Sequence, residues 1–186
     1  MTHYNYSITV FCGSKCGNKS IYIQAAKELA SHFVHNQLRL VFGGGSVGLM
    51  GIISNTMIDL GGSVKGIIPQ FLIKKEGQHS RVNDLTVTED MHSRKKILYD
   101  EGDAYLIMPG SIGTFDEFFE ILTWRYLKLH NKPIIIVNVD NWARGIHDQL
   151  NNTIKQGFAD KSLLKLFEVV PDVPSAIESL KKQMKF

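Results

Sequence analysis

The sequence MPGSIGTFDE at residues 108–117 indicates both the fold class of this chain and the position of its site. It follows an apolar run at 104–107, typical of a buried strand, and leads into a long apolar helical pattern at 118–129. A strand that ends in a Gly-rich turn and then begins a helix directs several backbone N–H groups at one point, where the helix dipole adds positive potential. The turn therefore predicts a phosphate site, with the Thr114 hydroxyl and the Glu117 carboxylate at its edge.

Thr114 and Glu117 have two interpretations at this level. A carboxylate beside an anion site suggests chemistry on a phosphorylated substrate. The same spacing also forms a capping box, in which Thr114 would cap the helix and Glu117 would return to the Thr114 N–H. Spacing alone does not separate the two. The turn is not a Walker loop, because no Gly-Lys-Ser/Thr follows it, and it lacks the third glycine of a dinucleotide fingerprint.

Short apolar runs alternate with helical patterns along the chain, which predicts an α/β fold with a doubly wound, Rossmann-like, mostly parallel sheet and helices on both faces. We expect one domain over residues 1–186. The predicted strands are 7–11, 38–42, 63–68, 84–88, 103–108 and 133–139, with a further edge strand at 166–170. The predicted helices are 20–36, 47–60, 92–101, 113–129, 141–157 and 175–182, and residues 69–82 form the longest irregular stretch.

Three loops of unusual composition follow predicted strands, and parallel sheets bind ligands at that edge. They are CGSKCGN at 12–18, GGGSVGLMG at 43–51 and PGSIGTFDE at 109–117. Glycines in any one loop could merely permit a tight turn or close packing of a helix on the sheet. Three such loops on one edge favour a lined pocket.

The predicted helix at 92–101 begins within the basic sequence MHSRKK at 91–96. Its simplest interpretation is a solvated basic face. If the start of this helix instead points into the pocket, Arg94 offers a forked donor for phosphate or ribose hydroxyls. His79 and His92 lack the spacing of metal ligands, so we expect no metal site.

Bulk composition sets limits on the function. The 186 residues carry a net charge of +3, which is too small to indicate nucleic acid as a partner. Cys12 and Cys16 predict free thiols in a reducing compartment, since no second pair accompanies them. Without an apolar leader or an eighteen-residue apolar run, we expect a cytoplasmic protein that does not bind membranes.

Taken together, these motifs resemble the lonely-guy family of cytokinin riboside 5'-monophosphate phosphoribohydrolases, some of which carry the older label "lysine decarboxylase-like". The resemblance covers about residues 8–140. VFCGS at 10–14 is similar to the family's opening strand and turn, VFGGG at 41–45 with GLMG at 48–51 to its triple-glycine motif, and MHSRK at 91–95 to its Met-His-x-Arg-Lys element. Residues 109–117 match the Pro-Gly-Gly-x-Gly-Thr-x-x-Glu signature, except that Ser111 replaces the second glycine. If that position needs a positive φ or a very close approach of the phosphate, serine would cost affinity or shift the loop. Its hydroxyl could instead donate a hydrogen bond to the phosphate.

The resemblance implies hydrolysis of the N-glycosidic bond of AMP or of a cytokinin riboside 5'-monophosphate, with no metal or organic cofactor. It implies Glu117 and Arg94 as catalytic residues. A non-catalytic nucleotide-binding or carrier protein of the same fold is the alternative, and lysine decarboxylase activity is not expected. The substrate-binding residues are expected on the three loops, on the basic helix and on the helix that follows the third loop, namely Gly13, Ser14, Gly43, Gly44, Gly45, Met91, Arg94, Lys95, Pro109, Gly110, Ser111, Ile112, Gly113, Thr114, Glu117 and Thr123.

The helix predicted at 113–129 is apolar around most of its circumference, which requires burial on a second side. The resemblance points to a homodimer in which each pocket lies near the subunit interface, with Leu122 as an interface position. Burial under the C-terminal segment at 163–186 is the alternative within one chain.

Overall fold

The computed structural model describes residues 4–76 and 78–186, and in them a single seven-stranded sheet forms the centre of the molecule. All strand pairs are parallel, in the order β4-β3-β2-β1-β5-β6-β7. The strands are β1 Tyr6–Phe11, β2 Leu38–Phe42, β3 Val64–Pro69, β4 Asp84–Thr88, β5 Ala104–Ile107, β6 Ile134–Val137 and β7 Glu168–Val170. The predicted doubly wound sheet is confirmed.

Helices cover both faces of the sheet. On one face, α1 Ser20–His35, α2 Gly48–Asp59 and α7 Val173–Met184 bury apolar residues such as Leu29, Ile53 and Leu180. On the other face, α4 Met91–Glu101, α5 Ile112–Tyr126 and α6 Arg144–Lys155 bury Leu98, Phe118 and Leu150. No helix in the described part of the chain is both long enough and apolar enough to cross a membrane.

The strand order places a topological switch point between β1 and β5. From β1 the chain moves outward through β2 to β4, and it then returns to add β5 on the other side of β1. The last residues of the two strands are in register, with Phe11 opposite Ile107. Their loops therefore leave the sheet side by side, which is where open α/β sheets form a ligand crevice.

The structure corrects three expectations. The predicted irregular stretch contains a short helix, α3 Gln70–Glu76. Helix α6 begins at Arg144 instead of residue 141, because Asp140 and Asn141 have φ of 54° and 59°, which no right-handed helix accommodates.

The third correction concerns the predicted capping box. Helix α5 begins at Ile112 with Ser111 at its N-cap, so Thr114 lies inside the first turn and cannot cap it. The capping-box interpretation of Thr114 and Glu117 is wrong.

The predicted free thiols are confirmed for Cys12, which is buried, and for Cys16.

Candidate active site

Arg94 points into the protein from the first turn of α4. Helix α4 begins at Met91 because the Asp90 side chain accepts a hydrogen bond from the Ser93 N–H at 2.8 Å. The Arg94 side chain is 9% exposed, and its Nε donates to the carbonyl of Ile67 at 3.2 Å. For Arg94, the interpretation as part of a solvated basic face is therefore wrong.

The glycine at position 43 makes room for this guanidinium. A Cβ atom at Gly43 would lie 2.2 Å from Nη2 of Arg94, which also donates to the Gly43 carbonyl at 3.4 Å. The first residue after β2 must consequently be glycine if Arg94 is to cross the ends of β2 and β3. Met91 contributes its sulfur, which lies 3.8 Å from Nη1 of Arg94.

Glu117 faces Arg94 from the second turn of α5. The Glu117 side chain is 12% exposed, and its Oε1 lies 3.5 Å from Nη1 of Arg94. Burial raises the pKa of Glu117 to about 7, against the opposing effect of the Arg94 charge, and neighbouring Asp116 raises it further. Near neutral pH the carboxyl group is therefore divided between its two protonation states, as a general acid or base requires.

Lys95 connects α4 with α5. Its Nζ lies 2.8 Å from an Asp116 oxygen and 3.2 Å from a Glu120 oxygen. Burial favours the neutral amine, but these two carboxylates outweigh it and raise the pKa of Lys95. The Lys95 amine thus pairs with α5 residues that lie before and after Glu117 in the sequence. It holds α4, which carries Arg94, against α5, which carries Glu117.

The loops after β1 and β5 contact each other through backbone. The Gly13 N–H donates to the Pro109 carbonyl at 3.0 Å. A Cβ atom at Gly110 would lie 2.1 Å from Oγ1 of Thr114 and 2.9 Å from the Gly13 nitrogen, so this position also requires glycine. The buried Thr114 side chain packs under the turn, which leaves the first N–H groups of α5 at the switch point.

Ser111 fits this turn without strain. Its φ of −126° and ψ of −154° are extended values that any residue adopts, so the signature's second glycine is not needed for a positive φ. Ser111 is exposed at the helix start, and its hydroxyl does not cap α5. Serine is therefore compatible with the backbone conformation of this turn.

A pocket of about 290 Å³ lies at the switch point between these loops. It is lined by the β1 loop, including Gly13 and Ser14, by the turn at Gly110 and Ser111, and by Trp142. Trp142 was not among the predicted residues, and its Nε1–H donates to the Gly110 carbonyl at 3.1 Å. Its place after β6, at the same sheet edge as the three glycine-rich loops, is visible in the sequence, but its hydrogen bond to Gly110 is not.

Three other predicted substrate-binding residues neither line the switch-point pocket nor belong to the pair of Arg94 and Glu117. Gly44 has a φ of +73° and packs against Ile68, so a tight turn explains it, and Gly45 forms an isolated bridge with Gln78. Thr123 is exposed and donates its hydroxyl hydrogen to the Phe119 carbonyl at 2.7 Å. The structure does not bring Thr123 together with Arg94 and Glu117.

Ile112 and Gly113, at the start of α5, are exposed and directly follow Ser111, which lines the switch-point pocket. Among the described residues, no group of three or more His, Cys, Asp or Glu side chains could hold a metal ion.

The chain matches known proteins over most of its length. The family model described as "Possible lysine decarboxylase" matches residues 50–180. A cytokinin riboside 5'-monophosphate phosphoribohydrolase from Rhodococcoides fascians is 38% identical over 176 residues, which covers 94% of this chain and 89% of that protein. A protein of the same name from Arabidopsis thaliana is 37% identical over 175 residues, covering 94% of this chain and 82% of its own. The chain belongs to the lonely-guy family.

Solved structures extend the comparison beyond the lonely-guy family. The molybdenum cofactor carrier protein from Chlamydomonas reinhardtii has a TM-score of 0.73 at 19% identity, covering 98% of this chain and 99% of its own. The molybdenum cofactor binding protein from Rippkaea orientalis has the same TM-score at 20% identity, covering 97% of this chain and 98% of its own. At these identities the likeness shows a shared fold, on which the lonely-guy chain carries its own site.

Proposed function

We propose that this protein hydrolyses the N-glycosidic bond of a nucleoside 5'-monophosphate, AMP or a cytokinin riboside 5'-monophosphate, to the free base and ribose 5-phosphate. The observation that supports this most directly is the buried pair of Arg94 and Glu117, 3.5 Å apart on the helices next to the switch-point loops. The names of the relatives at 37–38% identity point to the same reaction class.

In the proposed reaction, the carbon–nitrogen bond to the base breaks while positive charge develops on the ribose ring. The ionised Glu117 stabilises this oxocarbenium-like state, or takes a proton from the water whose oxygen adds to the anomeric carbon. The departing base takes up a proton, so hydroxide and proton together account for the water consumed. Arg94 keeps part of the Glu117 population ionised, because its charge opposes the effect of burial.

The phosphate group is assigned to the start of α5, at Gly110 to Thr114. Helix N-termini bind phosphate through free N–H groups, and α5 has no acidic residue in its first turn to compete with the ligand. Binding energy from the phosphate would hold the anomeric carbon in place beside Glu117, although the phosphate itself does not react.

The lysines near the site do not support lysine decarboxylase activity. The Lys95 amine is paired with Asp116 and Glu120, and the Lys132 amine donates to the Tyr99 carbonyl at 2.7 Å. A non-catalytic nucleotide carrier on the same fold is the stronger alternative, since the structural neighbours include carrier proteins.

Product analysis distinguishes hydrolysis from carriage. We expect the protein to release adenine from AMP, and to release it from adenosine with a specificity constant about a thousandfold lower, because adenosine lacks the anchoring phosphate. Chromatography of timed reactions measures both rates. AMP recovered intact would support a carrier, and equal specificity constants for the two compounds would contradict the phosphate assignment.

We further propose a homodimer formed through α5. The C-terminal segment covers part of this helix, since Phe167 packs edge-on against Phe118 at 5.7 Å. Apolar side chains remain exposed on and after α5, at Phe119, Tyr126, Leu127 and Leu129. Leu122 is only 3% exposed within one chain, so a charge there would disrupt the monomer's own core.

Phe119, at 41% exposure, is the better position to test the dimer. We expect sedimentation at micromolar concentration to give a dimer for the wild type and a monomer with lowered activity for Phe119→Lys. Phe158→Lys is the matched control, because Phe158 is 85% exposed in the turn after α6. A fully active wild-type monomer would contradict a site shared between subunits.

A further inference from the structure

The turn between β6 and α6 has an unusual backbone. Asp140 and Asn141 both adopt left-handed φ values, of 54° and 59°. Asn and Asp tolerate this region better than most residues, but two in succession persist only where surrounding contacts hold them. Such strain is common at functional sites, which directs attention to what this turn supports.

Contacts from both sides fix the turn. The Asn138 side-chain oxygen accepts the Ala143 N–H at 2.8 Å, which closes the loop onto itself. From α1 and the residue before it, Lys19 forms an ion pair with the Asp140 carboxylate, and the Tyr22 hydroxyl donates to it at 3.4 Å. The turn is thereby tied to the loop that follows β1.

The turn places Trp142 against the start of α5. The indole ring stacks on Phe115, with centroids 5.7 Å apart and planes inclined by 26°. Its Nε1–H donates to the Gly110 carbonyl at 3.1 Å. Trp142 also lines the switch-point pocket beside Gly110 and Ser111.

We propose that Trp142 is a positioning residue that fixes the orientation of the Gly110–Ser111 peptide for phosphate binding. This inference rests on the proposed function for its phosphate ligand. It does not require Trp142 to touch the substrate.

The planarity of the peptide bond supplies the physical reason. In a trans peptide the carbonyl of one residue and the N–H of the next point in opposite directions. When Trp142 holds the Gly110 carbonyl toward itself, the Ser111 N–H is held on the opposite side. Gly110 is followed by Ser111, whose carbonyl accepts the first N–H bond of α5, from Phe115 at 3.0 Å.

Glycine at position 110 makes such a restraint necessary. The contact with Thr114 excludes a side chain there, and a glycine peptide rotates more freely than any other. Without the indole donor, the peptide preceding the N-cap could rotate, and its N–H would leave the set offered to an anion.

Trp142→Phe tests the proposal, because phenylalanine retains a ring to stack on Phe115 but has no N–H. We expect the dissociation constant for ribose 5-phosphate, measured by calorimetry, to rise about three- to tenfold, the usual effect of one lost neutral hydrogen bond. The KM for AMP should rise by a similar factor while kcat changes less than about twofold, and hydrolysis of adenosine should be unchanged. Trp124→Phe is the control, since Trp124 packs edge-on against Tyr99 instead.

Each outcome decides the matter. Equal affinities for ribose 5-phosphate in wild type and Trp142→Phe would overturn the proposal, as would a parallel loss on AMP and adenosine, which indicates a merely structural role. Failure of the wild type to bind ribose 5-phosphate would overturn it as well, together with the phosphate assignment. A wild type that binds ribose 5-phosphate but releases no base would refute the proposed hydrolysis alone, and weaker binding by Trp142→Phe would still support the role of Trp142.

Discussion

Two neighbouring regions at the carboxyl edge of the sheet differ in composition, since one is formed by charged side chains and the other by backbone. The corner that contains Arg94 and Glu117 consists of charged side chains enclosed by α4, α5 and the end of β3. The turn around Gly110 consists of backbone, kept free of side-chain bulk and bordered by a pocket of about 290 Å³.

This difference indicates how each region responds to substitution. In the corner, burial shifts proton equilibria, so changes of charge at constant shape should have the largest effect. In the turn, the N–H groups carry no titratable charge, so changes of shape should matter most. A substitution that changes only charge should therefore affect the corner and spare the turn. A substitution that changes only shape should affect the turn and spare the corner.

The largest expected effect comes from removing charge in the corner. Glu117→Gln retains the size of the side chain but can neither accept nor return a proton, so we expect base release from AMP to fall about a thousandfold. Affinity for ribose 5-phosphate should remain within about threefold of wild type, because the turn is untouched. Kinetics and calorimetry on the same preparations measure the two quantities.

Asp116→Asn is the matched control for this substitution. Asp116 is the preceding carboxylate on α5, and its side chain is more than half exposed. We expect this variant to keep base release within about tenfold of wild type. Near-normal activity of Glu117→Gln would remove the corner from the mechanism and leave Arg94 and Glu117 as a buried structural pair.

A smaller effect should appear in stability as a function of pH. The pKa of Glu117 rises from 4.5 to about 7 on folding, so the folded state binds the proton more tightly than the unfolded chain. The stabilisation from this group is complete below pH 4.5 and is lost as pH rises through 7. Over that window the wild type should lose up to about 3 kcal/mol relative to Glu117→Gln, which has no proton to release.

Urea unfolding of the two proteins at pH 4, 6 and 8 measures this difference. We expect the free energies of unfolding to diverge with rising pH in favour of Glu117→Gln. Two curves that run parallel between pH 4 and 8 would show that the carboxyl group titrates normally, and the corner would then not be a region of shifted proton equilibria.

The sheet and the two helices of the corner could be predicted from sequence because their patterns are local. Buried parallel strands are nearly continuous apolar runs, and the buried strand β2 was predicted with the bounds that the structure shows, as was the more exposed edge strand β4. The glycine-rich loops located the sheet edge in the same way. Arg94 was a candidate, but only packing across β2 and β3 shows that it faces inward.

The features that could not be predicted from the sequence depend on contacts between distant segments of the chain. Trp142 resembles one more apolar residue of a helix, and its role follows from a hydrogen bond to a residue 32 positions away. The capping box failed for a related reason. Thr114 has the spacing of a cap, but the turn at Gly110 brings the chain into the helix three residues earlier, at Ser111.

The smallest expected effects compare two glycines of the turn. A Cβ at Gly110 would meet Thr114 and the Gly13 nitrogen, so Gly110→Ala should lower the free energy of unfolding by about 1–3 kcal/mol and weaken ribose 5-phosphate binding. A Cβ at Gly113 would meet nothing within 4 Å, and alanine is the better helix former there. Gly113→Ala should therefore leave stability unchanged or raise it by a few tenths of a kcal/mol.

If the phosphate approaches the backbone at Gly113, the Gly113→Ala variant should still lose affinity for ribose 5-phosphate. This result would separate a glycine required by the ligand from one required by the fold. Undiminished affinity in Gly113→Ala would place the phosphate nearer to Gly110 and Ser111, and equal stability of the two variants would contradict the tight packing of the turn.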